Sequence, residues 1–249
     1  MLFLTSCLQT FGEYALFMRK VITKPDRWKE SLKRYVVEIS KLGIDSIPLV
    51  IVISLFIGAV CAIQMQINFA NPLLPSYTVG LATRDILLLE FSSSILCLIL
   101  AGKVGSNIAS EIGTMRVTEQ IDALEIMGIN SCNFLVLPKI LALLTFIPVL
   151  AVFSMCAGLI GGYVVALMGI IPTAQYIYGI QSYFVEWYVW YAIIKSLVFS
   201  VVITSVASFY GYYVKGGALE VGKASTNSVV ASSVLILLLD VLLTKILLQ

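Results

Sequence analysis

Five apolar runs, each long enough to cross a lipid bilayer, dominate the sequence and limit what it can fold into. Because a hydrocarbon core of about 30 Å needs about 20 apolar residues in an α-helix, each run predicts one membrane-spanning helix. The predicted spans are residues 46–67, 85–110, 134–168, 189–210 and 228–248. Charged residues make up only 12% of the chain, whereas a soluble domain contains about 25%. The sequence therefore predicts an all-α polytopic membrane protein with about five transmembrane helices.

Residues 1–45 precede the first span and mix apolar, aromatic and basic positions. Phe11, Leu16 and Trp28 lie among polar neighbours. The basic residues of the segment are Arg19, Lys20, Lys24, Arg27, Lys29, Lys33, Arg34 and Lys41. This composition is typical of amphipathic helices that lie on a membrane surface with their cations towards anionic headgroups. We expect an interfacial arm at residues 1–45, with a soluble helical arm as the alternative.

A dense polar stretch at residues 101–130 separates the second and third spans. Its charged residues are Lys103, Glu111, Arg116, Glu119, Asp122 and Glu125. Unpaired charges and open backbone groups each cost several kcal/mol in hydrocarbon, on the order of 2–7 for a polar group. We therefore expect the stretch to face water or another protein.

The distribution of Lys and Arg predicts the orientation of the chain. Five spans place the two termini on opposite sides of the membrane. The arm, residues 103–139 and residues 211–227 carry most of the basic residues, whereas the other side has only Arg84 and Lys245. By the positive-inside rule the amino terminus, the polar stretch and the 211–227 loop lie in the cytoplasm. No loop is large enough to be an enzyme domain, so we expect any energy-converting component to be another polypeptide.

Small residues recur at helical spacing in two of the spans. Gly158 and Gly162 form a GxxxG pattern, and Ser200, Thr204 and Ser208 repeat every four residues. Such residues allow close helix packing, and the hydroxyl groups can bond across an interface. Packing within one subunit, a homodimer interface and a lipid-lined groove all remain open.

Three ionisable residues fall inside apolar runs: Glu90, Lys195 and Asp240. Charges at that depth are costly and usually face a cavity or an oppositely charged partner. They either form a structural ion pair that locks helices together or line a path for substrate or protons. Asp240 lies near the middle of its span, so we expect it to need a cation such as Lys195.

Residues 217–224 imitate a nucleotide-binding loop, but the pattern fails at one position. A phosphate-binding loop needs Ser or Thr after its lysine to hold magnesium, and Ala224 follows Lys223 here. The chain also contains no histidine, the commonest metal ligand and general base. We expect this chain to bind no nucleotide, metal or cofactor, to carry no catalytic residue, and to bind no nucleic acid.

The polar stretch EIGTMRVTEQIDALEIMGIN at residues 111–130 strongly resembles the signature of the MlaE permeases. These are membrane subunits of ABC transporters that move phospholipids between the two membranes of diderm bacteria. Further similar segments are AGKVGS at 101–106, LVLPKILA at 135–142, IKSLVF at 194–199 and GALEVGKAST at 217–226. The resemblance covers nearly the whole chain from about residue 20.

The resemblance implies an inner-membrane permease that maintains outer-membrane lipid asymmetry. It implies a homodimer with five membrane helices per subunit, residues 46–249 forming the permease domain. Residues 103–130 would contain a coupling helix that docks on a cytoplasmic ABC ATPase, which holds ATP and Mg²⁺. The implied coupling residues are Glu111, Met115, Arg116, Glu119, Gln120, Asp122 and Glu125. An MCE-domain protein would lie on the periplasmic side, and some members add a STAS-domain protein.

Glu90, Lys195 and Asp240 fall where the family has charged residues near its lipid cavity. The chain departs from the family at Leu89, where an arginine is usual, and it lacks the Gly-Pro that usually follows the glutamate. We therefore expect a straighter second span. A stand-alone secondary transporter could use the same three charges, but the sequence shows no inverted repeat.

Overall fold

The computed structural model describes residues 2–23, 28–69 and 75–248, and helices account for most of them. The α-helices are α1 (Leu2–Val21), α2 (Trp28–Glu38), α3 (Ile47–Asn68), α4 (Tyr77–Ile86), α5 (Leu96–Leu100), α6 (Ser106–Val117), α7 (Gln120–Ile126), α8 (Ser131–Leu167), α9 (Thr173–Gln181), α10 (Glu186–Tyr212) and α11 (Ala218–Leu248). No strand occurs in these described ranges. The predicted all-α class is confirmed. Residues 24–27 of the predicted arm lie outside the described residues.

Five continuous helical stretches are long and apolar enough to cross a membrane, which confirms the predicted number. They are Trp28–Asn68, Tyr77–Val117, Ser131–Leu167, Glu186–Tyr212 and Ala218–Leu248. We refer to them as the first to fifth spans. The fifth span begins well before residue 228 because the polar residues after Gly217 continue as helix. Similarly, α9 lies between the predicted third and fourth spans, in residues that the predicted bounds leave outside any helix.

The first and second spans contain π-helical segments in place of regular α-helix. Ile39–Gly43 connects α2 to the start of the first apolar run. In the second span, Leu87–Ile95 and Ala101–Gly105 are π-helical. Such segments are rare and are frequently found at functional sites. The second span is one continuous helical stretch from Tyr77 to Val117, and its longer π-helical segment contains Glu90.

The chain divides into two compact units. Unit 1 contains Met1–Leu42, Leu100–Thr145 and Phe199–Leu238. Unit 2 contains Gly43–Ile99, Phe146–Val198 and Leu239–Gln249. All five spans contribute residues to both units, so each unit is a helical cluster built from segments distant in sequence.

In unit 1, α1 is held by an aromatic cluster at the end of α10. Phe17 is buried, and its ring lies 5.8 Å from that of Phe209 and 5.4 Å from that of Tyr212, measured between centroids. The Tyr14 hydroxyl donates a 2.7 Å hydrogen bond to Ser205. Aromatic pairs at these distances contribute about 0.5–1.5 kcal/mol each beyond their buried area. Helix α1 is therefore packed on the protein along one face.

The predicted hydroxyl repeat also lies in unit 1, where it is buried within the chain. Ser200, Thr204 and Ser208 have no exposed surface. The Thr204 hydroxyl donates to the Ser200 carbonyl oxygen at 2.6 Å. These residues pack inside the subunit, so they do not form an exposed seam for a second copy.

Unit 2 is held together by close helix contacts at glycines. A methyl group on Gly58 of α3 would collide with the carbonyl group of Gly158 in α8. Gly162, the second residue of the predicted GxxxG pattern, packs beside the Tyr176 hydroxyl and Ala62. Only a residue without a side chain permits such an approach of two helix backbones. The glycines of the third span therefore pack against the same subunit.

We predict that Gly58→Ala destabilises the protein because the added methyl forces α3 and α8 apart. Overpacking of this kind lowers the free energy of unfolding by about 1–3 kcal/mol. Thermal unfolding of the detergent-purified protein measures the change. Gly102→Ala is the matched control, since nothing lies within 4 Å of the added methyl. Equal stability of the two variants would contradict the close packing of α3 on α8.

Candidate functional site

A fully buried lysine forms the centre of a charge cluster in unit 2. The Nζ atom of Lys195, on α10, lies 2.5 Å from Oδ1 of Asp240 and 3.2 Å from Oε2 of Glu90. Asp240 belongs to α11 and Glu90 to the π-helical segment of the second span. The structure thus brings together the three intramembrane charges that the sequence singles out. One cation faces two carboxylates, so the cluster has a net charge of −1 when all three groups are ionised.

Hydroxyl groups complete the hydrogen bonding of the cluster. Lys195 Nζ donates to the Tyr191 hydroxyl at 2.9 Å. Ser94 Oγ lies 2.6 Å from Asp240 Oδ1 and 3.1 Å from Glu90 Oε2. A buried ion pair is tolerated in a low-dielectric region only when such hydrogen bonds satisfy its remaining donors and lone pairs. The cluster therefore joins three spans through polar contacts within apolar helices.

The two carboxylates are more accessible than the lysine. The side chain of Glu90 is 41% exposed and that of Asp240 is 18% exposed. The outward edge of the cluster is therefore a pair of carboxylate groups, with the ammonium group behind them. Such an edge can accept hydrogen bonds from a polar headgroup while the lysine supplies the counter-charge.

A second ionic network in unit 1 ties the polar stretch to the amino-terminal arm. Lys139 of α8 is buried, and its Nζ lies 2.5 Å from Glu38 and 3.2 Å from Glu111. Lys41 also pairs with Glu111, at 2.8 Å. By hydropathy alone, Lys139 is a basic residue beside a loop. The sequence therefore does not predict its position at the centre of this ionic network. The network connects the first, second and third spans.

The polar stretch bends sharply between α6 and α7. Glu119 lies at the bend with a left-handed φ of 59°, a conformation uncommon for residues other than glycine. Arg116 donates to Asp122 across the bend at 2.6 Å. Ile121 is buried, which fixes α7 to the body of unit 1. Helix α7 is therefore a short, anchored element with Glu119 and Gln120 exposed.

Glu125 fastens the other end of α7. Its Oε1 accepts hydrogen bonds of 2.8 Å from the hydroxyls of Tyr212 and Ser131. The Tyr212 hydrogen bond, followed by that from Ser131, holds the pKa of the Glu125 carboxyl below its usual value. Glu125 thus links α7 to the end of α10 and the start of α8.

The predicted coupling residues divide into two groups. Glu111, Arg116, Asp122 and Glu125 make internal ion pairs or hydrogen bonds, and Met115 is partly buried. The second group, Glu119 and Gln120, is exposed. Two residues that the sequence reasoning missed are exposed as well: Ile126 is 87% exposed and Met127 is 64% exposed. They directly follow the last polar residue of α7. Their apolar side chains within a polar stretch are the sequence feature that could have identified them.

Arg84 is a further buried charge that hydropathy does not reveal. Its guanidinium donates to the carbonyl oxygens of Ile180 and Ser182 at 2.9 and 2.6 Å, and it pairs with Asp85 at 2.7 Å. These carbonyl groups lie at the carboxyl end of α9, where helix carbonyls have no intrahelical partner. Arg84 therefore fixes α9 to α4 within unit 2.

The segment that imitates a nucleotide-binding loop forms the first turns of α11. Lys223 pairs with Glu220 at 2.6 Å, three residues earlier on the same helix. In the described part of the chain, no group of three or more His, Cys, Asp or Glu side chains could hold a metal ion.

The fold and the charge cluster define a multi-pass membrane protein with few, paired intramembrane charges and an anchored polar segment between two spans. A family model described as "Permease MlaE" matches residues 35–246. The chain therefore belongs to the MlaE permease family.

Relatives of known name support this assignment. A probable ABC transporter permease protein of Rickettsia bellii is 34% identical over 96% of this chain and 92% of that protein. A probable ABC transporter permease protein of Synechocystis is 32% identical, over 85% and 81%. The intermembrane phospholipid transport system permease protein MlaE of Haemophilus influenzae is 30% identical, over 82% and 79%.

We predict that Lys195→Met strongly destabilises the protein because it leaves two carboxylates without their cation. Breaking a buried ion pair in this way costs about 3–5 kcal/mol of unfolding free energy. Thermal unfolding in detergent measures the loss. Lys245→Met is the control, since Lys245 is exposed at the end of the fifth span. If both variants unfold at the same temperature, Lys195 does not hold the spans together.

We predict a pH-dependent contribution of Glu125 to stability. Its pKa is lower in the folded protein than its usual value of 4.5, so the contribution is present above that value. It is lost as the pH falls through the folded pKa. The difference in stability between the wild type and Glu125→Gln should therefore shrink as the pH falls from about 6 to about 3. In a Tyr212→Phe background, which lacks one of the two hydrogen bonds to Glu125, the stability difference caused by Glu125→Gln should be smaller at every pH. A stability difference between the wild type and Glu125→Gln that does not change with pH would contradict the lowered pKa of Glu125.

Proposed function

We propose that this chain is the permease subunit of an ATP-driven phospholipid transporter and that a separate ABC ATPase grips it at α7. The observation that carries the proposal is the exposure of Ile126 and Met127 at the end of that helix. Large apolar side chains exposed next to a polar segment outside the spans are typical of protein interfaces. Glu119 and Gln120 add polar contacts at the other end of α7.

The anchoring of α7 suits the transmission of force. Helix α7 is tied to α6 by the Arg116–Asp122 ion pair and to α8 and α10 by the hydrogen bonds of Glu125, and Ile121 is buried. A force applied to α7 would therefore reach the second, third and fourth spans. The Lys139 network extends the connection to the arm. Closure of two ATPase subunits would press on both copies of α7 and narrow the lipid cavity. ATP and Mg²⁺ belong to the ATPase, and this chain holds neither.

The Lys195 cluster is our candidate for the polar part of the lipid path. Its carboxylate edge is partly exposed, and the fifth span, which carries Asp240, is mostly exposed along its apolar part. We propose that a second copy of this chain covers that surface, so that the cluster faces a cavity between two subunits. An apolar cavity with a few charges fits a lipid with two acyl chains and a polar headgroup.

Basic residues support an inner-membrane topology with a cytoplasmic amino terminus and a periplasmic carboxyl terminus. In this orientation α7 is cytoplasmic, and an MCE-domain protein would receive or deliver lipid on the periplasmic side. The transporter would maintain the lipid asymmetry of the outer membrane of a diderm bacterium, with a STAS-domain protein as an additional partner in some systems.

A stand-alone secondary transporter is the second candidate function. The observation that favours it is the cluster itself, because a lysine between two carboxylates could also move a proton. Such a carrier would transport lipid or another solute in vesicles that contain only this chain. The ABC permease predicts transport only when the ATPase and its nucleotide are added.

We predict that Ile126→Glu weakens binding of the ABC ATPase about tenfold or more, because it replaces an apolar interface residue with a charge. Co-purification of the two full-length proteins from detergent measures the affinity. Met168→Glu is the matched control, since Met168 is also exposed but follows the third span, on the opposite side in the proposed topology. Undiminished ATPase binding by Ile126→Glu, or equal loss in both variants, would contradict docking at α7.

A further inference from the structure

Three cavities of unit 1 meet at one basic residue at the end of α1. They have volumes of about 220, 370 and 480 Å³, and Lys20 lines each of them. Arg116, Tyr213 and Lys215 line the smallest cavity together with Glu125. Residues from α1, α6, α7 and the segment after α10 therefore converge on a polar depression.

The charges of this depression are not balanced by the protein. Lys20 and Lys215 are exposed, and neither has an ion pair within the described ranges. Arg116 forms an ion pair with Asp122. Glu125 accepts two hydroxyl hydrogen bonds, and its lowered pKa keeps it ionised at neutral pH. Arg19 and Glu13 also line the 370 Å³ cavity. The three cavities are therefore lined by four cationic side chains and two carboxylates, an excess of positive charge.

The depression lies at the level where lipid headgroups are found. Tyr213 and Lys215 directly follow the fourth span, whose 27 residues are enough to cross a bilayer with its headgroup regions. The ends of membrane-spanning helices lie at the border between hydrocarbon and water.

An apolar wall adjoins the charged groups. Leu16 of α1 lines the 370 Å³ cavity and is 60% exposed. Phe11 continues the exposed apolar surface of α1. The opposite face of α1 is fixed to the protein by Phe17, so the apolar wall and Lys20 are held in place together.

We propose that this depression binds the headgroup of a phospholipid that carries a phosphate diester and a primary ammonium group. The phosphate is bound by Lys20 and Lys215, with Arg116 beside it, because charge-assisted bonds to phosphate are strong. The ammonium group pairs with Glu125. An acyl chain lies along Leu16 and Phe11, which distinguishes a lipid from free phosphate. The site belongs to unit 1, whereas the Lys195 cluster belongs to unit 2.

A photoreactive lipid tests the site without any ATPase, so the result does not depend on the proposed coupling. The full-length protein is reconstituted into nanodiscs of phosphatidylglycerol that contain a trace of phosphatidylethanolamine with a diazirine in its acyl chain. Labelled peptides are identified by mass spectrometry. In the wild type the label should appear on α1 near Leu16, and added unlabelled phosphatidylethanolamine should remove it.

Lys20→Ala and Lys215→Ala should each reduce the label on α1 about tenfold, the effect expected from one lost charge-assisted bond. Lys33→Ala is the matched control, since Lys33 is an exposed arm residue that lines none of the three cavities, and it should retain the label. Gel filtration shows whether each variant is folded.

Three results would overturn the proposal. The label could fall equally in Lys33→Ala, which would indicate general attraction to a basic arm. Inorganic phosphate added to the solution could remove the label, which would indicate a site for free phosphate. The wild type could show no label on α1 in these phosphatidylglycerol discs, which would show that the ammonium group is not recognised.

Discussion

A buried lysine in an apolar helix needs a counter-charge within the protein, and this requirement organises unit 2. Removing an ammonium group from water costs several kcal/mol even after relaxation. Lys195 meets this cost by contacting Asp240 and Glu90, which come from two other spans. The position of the fourth span is thereby tied to those of the second and fifth. The partial exposure of the carboxylates makes the same contact available to a ligand.

Unit 1 uses ionic contacts for a different purpose. Its ion pairs and hydrogen bonds collect around the polar stretch, and they connect α7 and its neighbours to the arm and to three spans. A helix of seven residues has little stability of its own. The contacts of Ile121, Arg116 and Glu125 make it a defined surface. The exposed Ile126 and Met127 then have a fixed position, as a docking site requires.

Hydropathy and the positions of charges predict much of this architecture, but not its contacts. Five spans and the three intramembrane charges follow from the sequence because charged residues in hydrocarbon are rare and costly. The pairing of Lys195 with both carboxylates depends on helix rotation, which hydropathy does not determine. Lys139 and Arg84 resemble loop-flanking cations, although both are buried. The early start of α11 was missed because its first turns are polar. The exposure of Ile126 was missed because a single apolar residue carries no periodicity.

The central claim is that α7 faces the cytoplasm, where an ATPase covers it. The most direct measurement is the labelling of Gln120→Cys, in a variant without other cysteines, by a membrane-impermeant thiol reagent in vesicles of both orientations. The account predicts labelling only from the cytoplasmic face, and protection when the ABC ATPase is bound. Labelling only from the opposite face, or equal labelling with and without the ATPase, would contradict it.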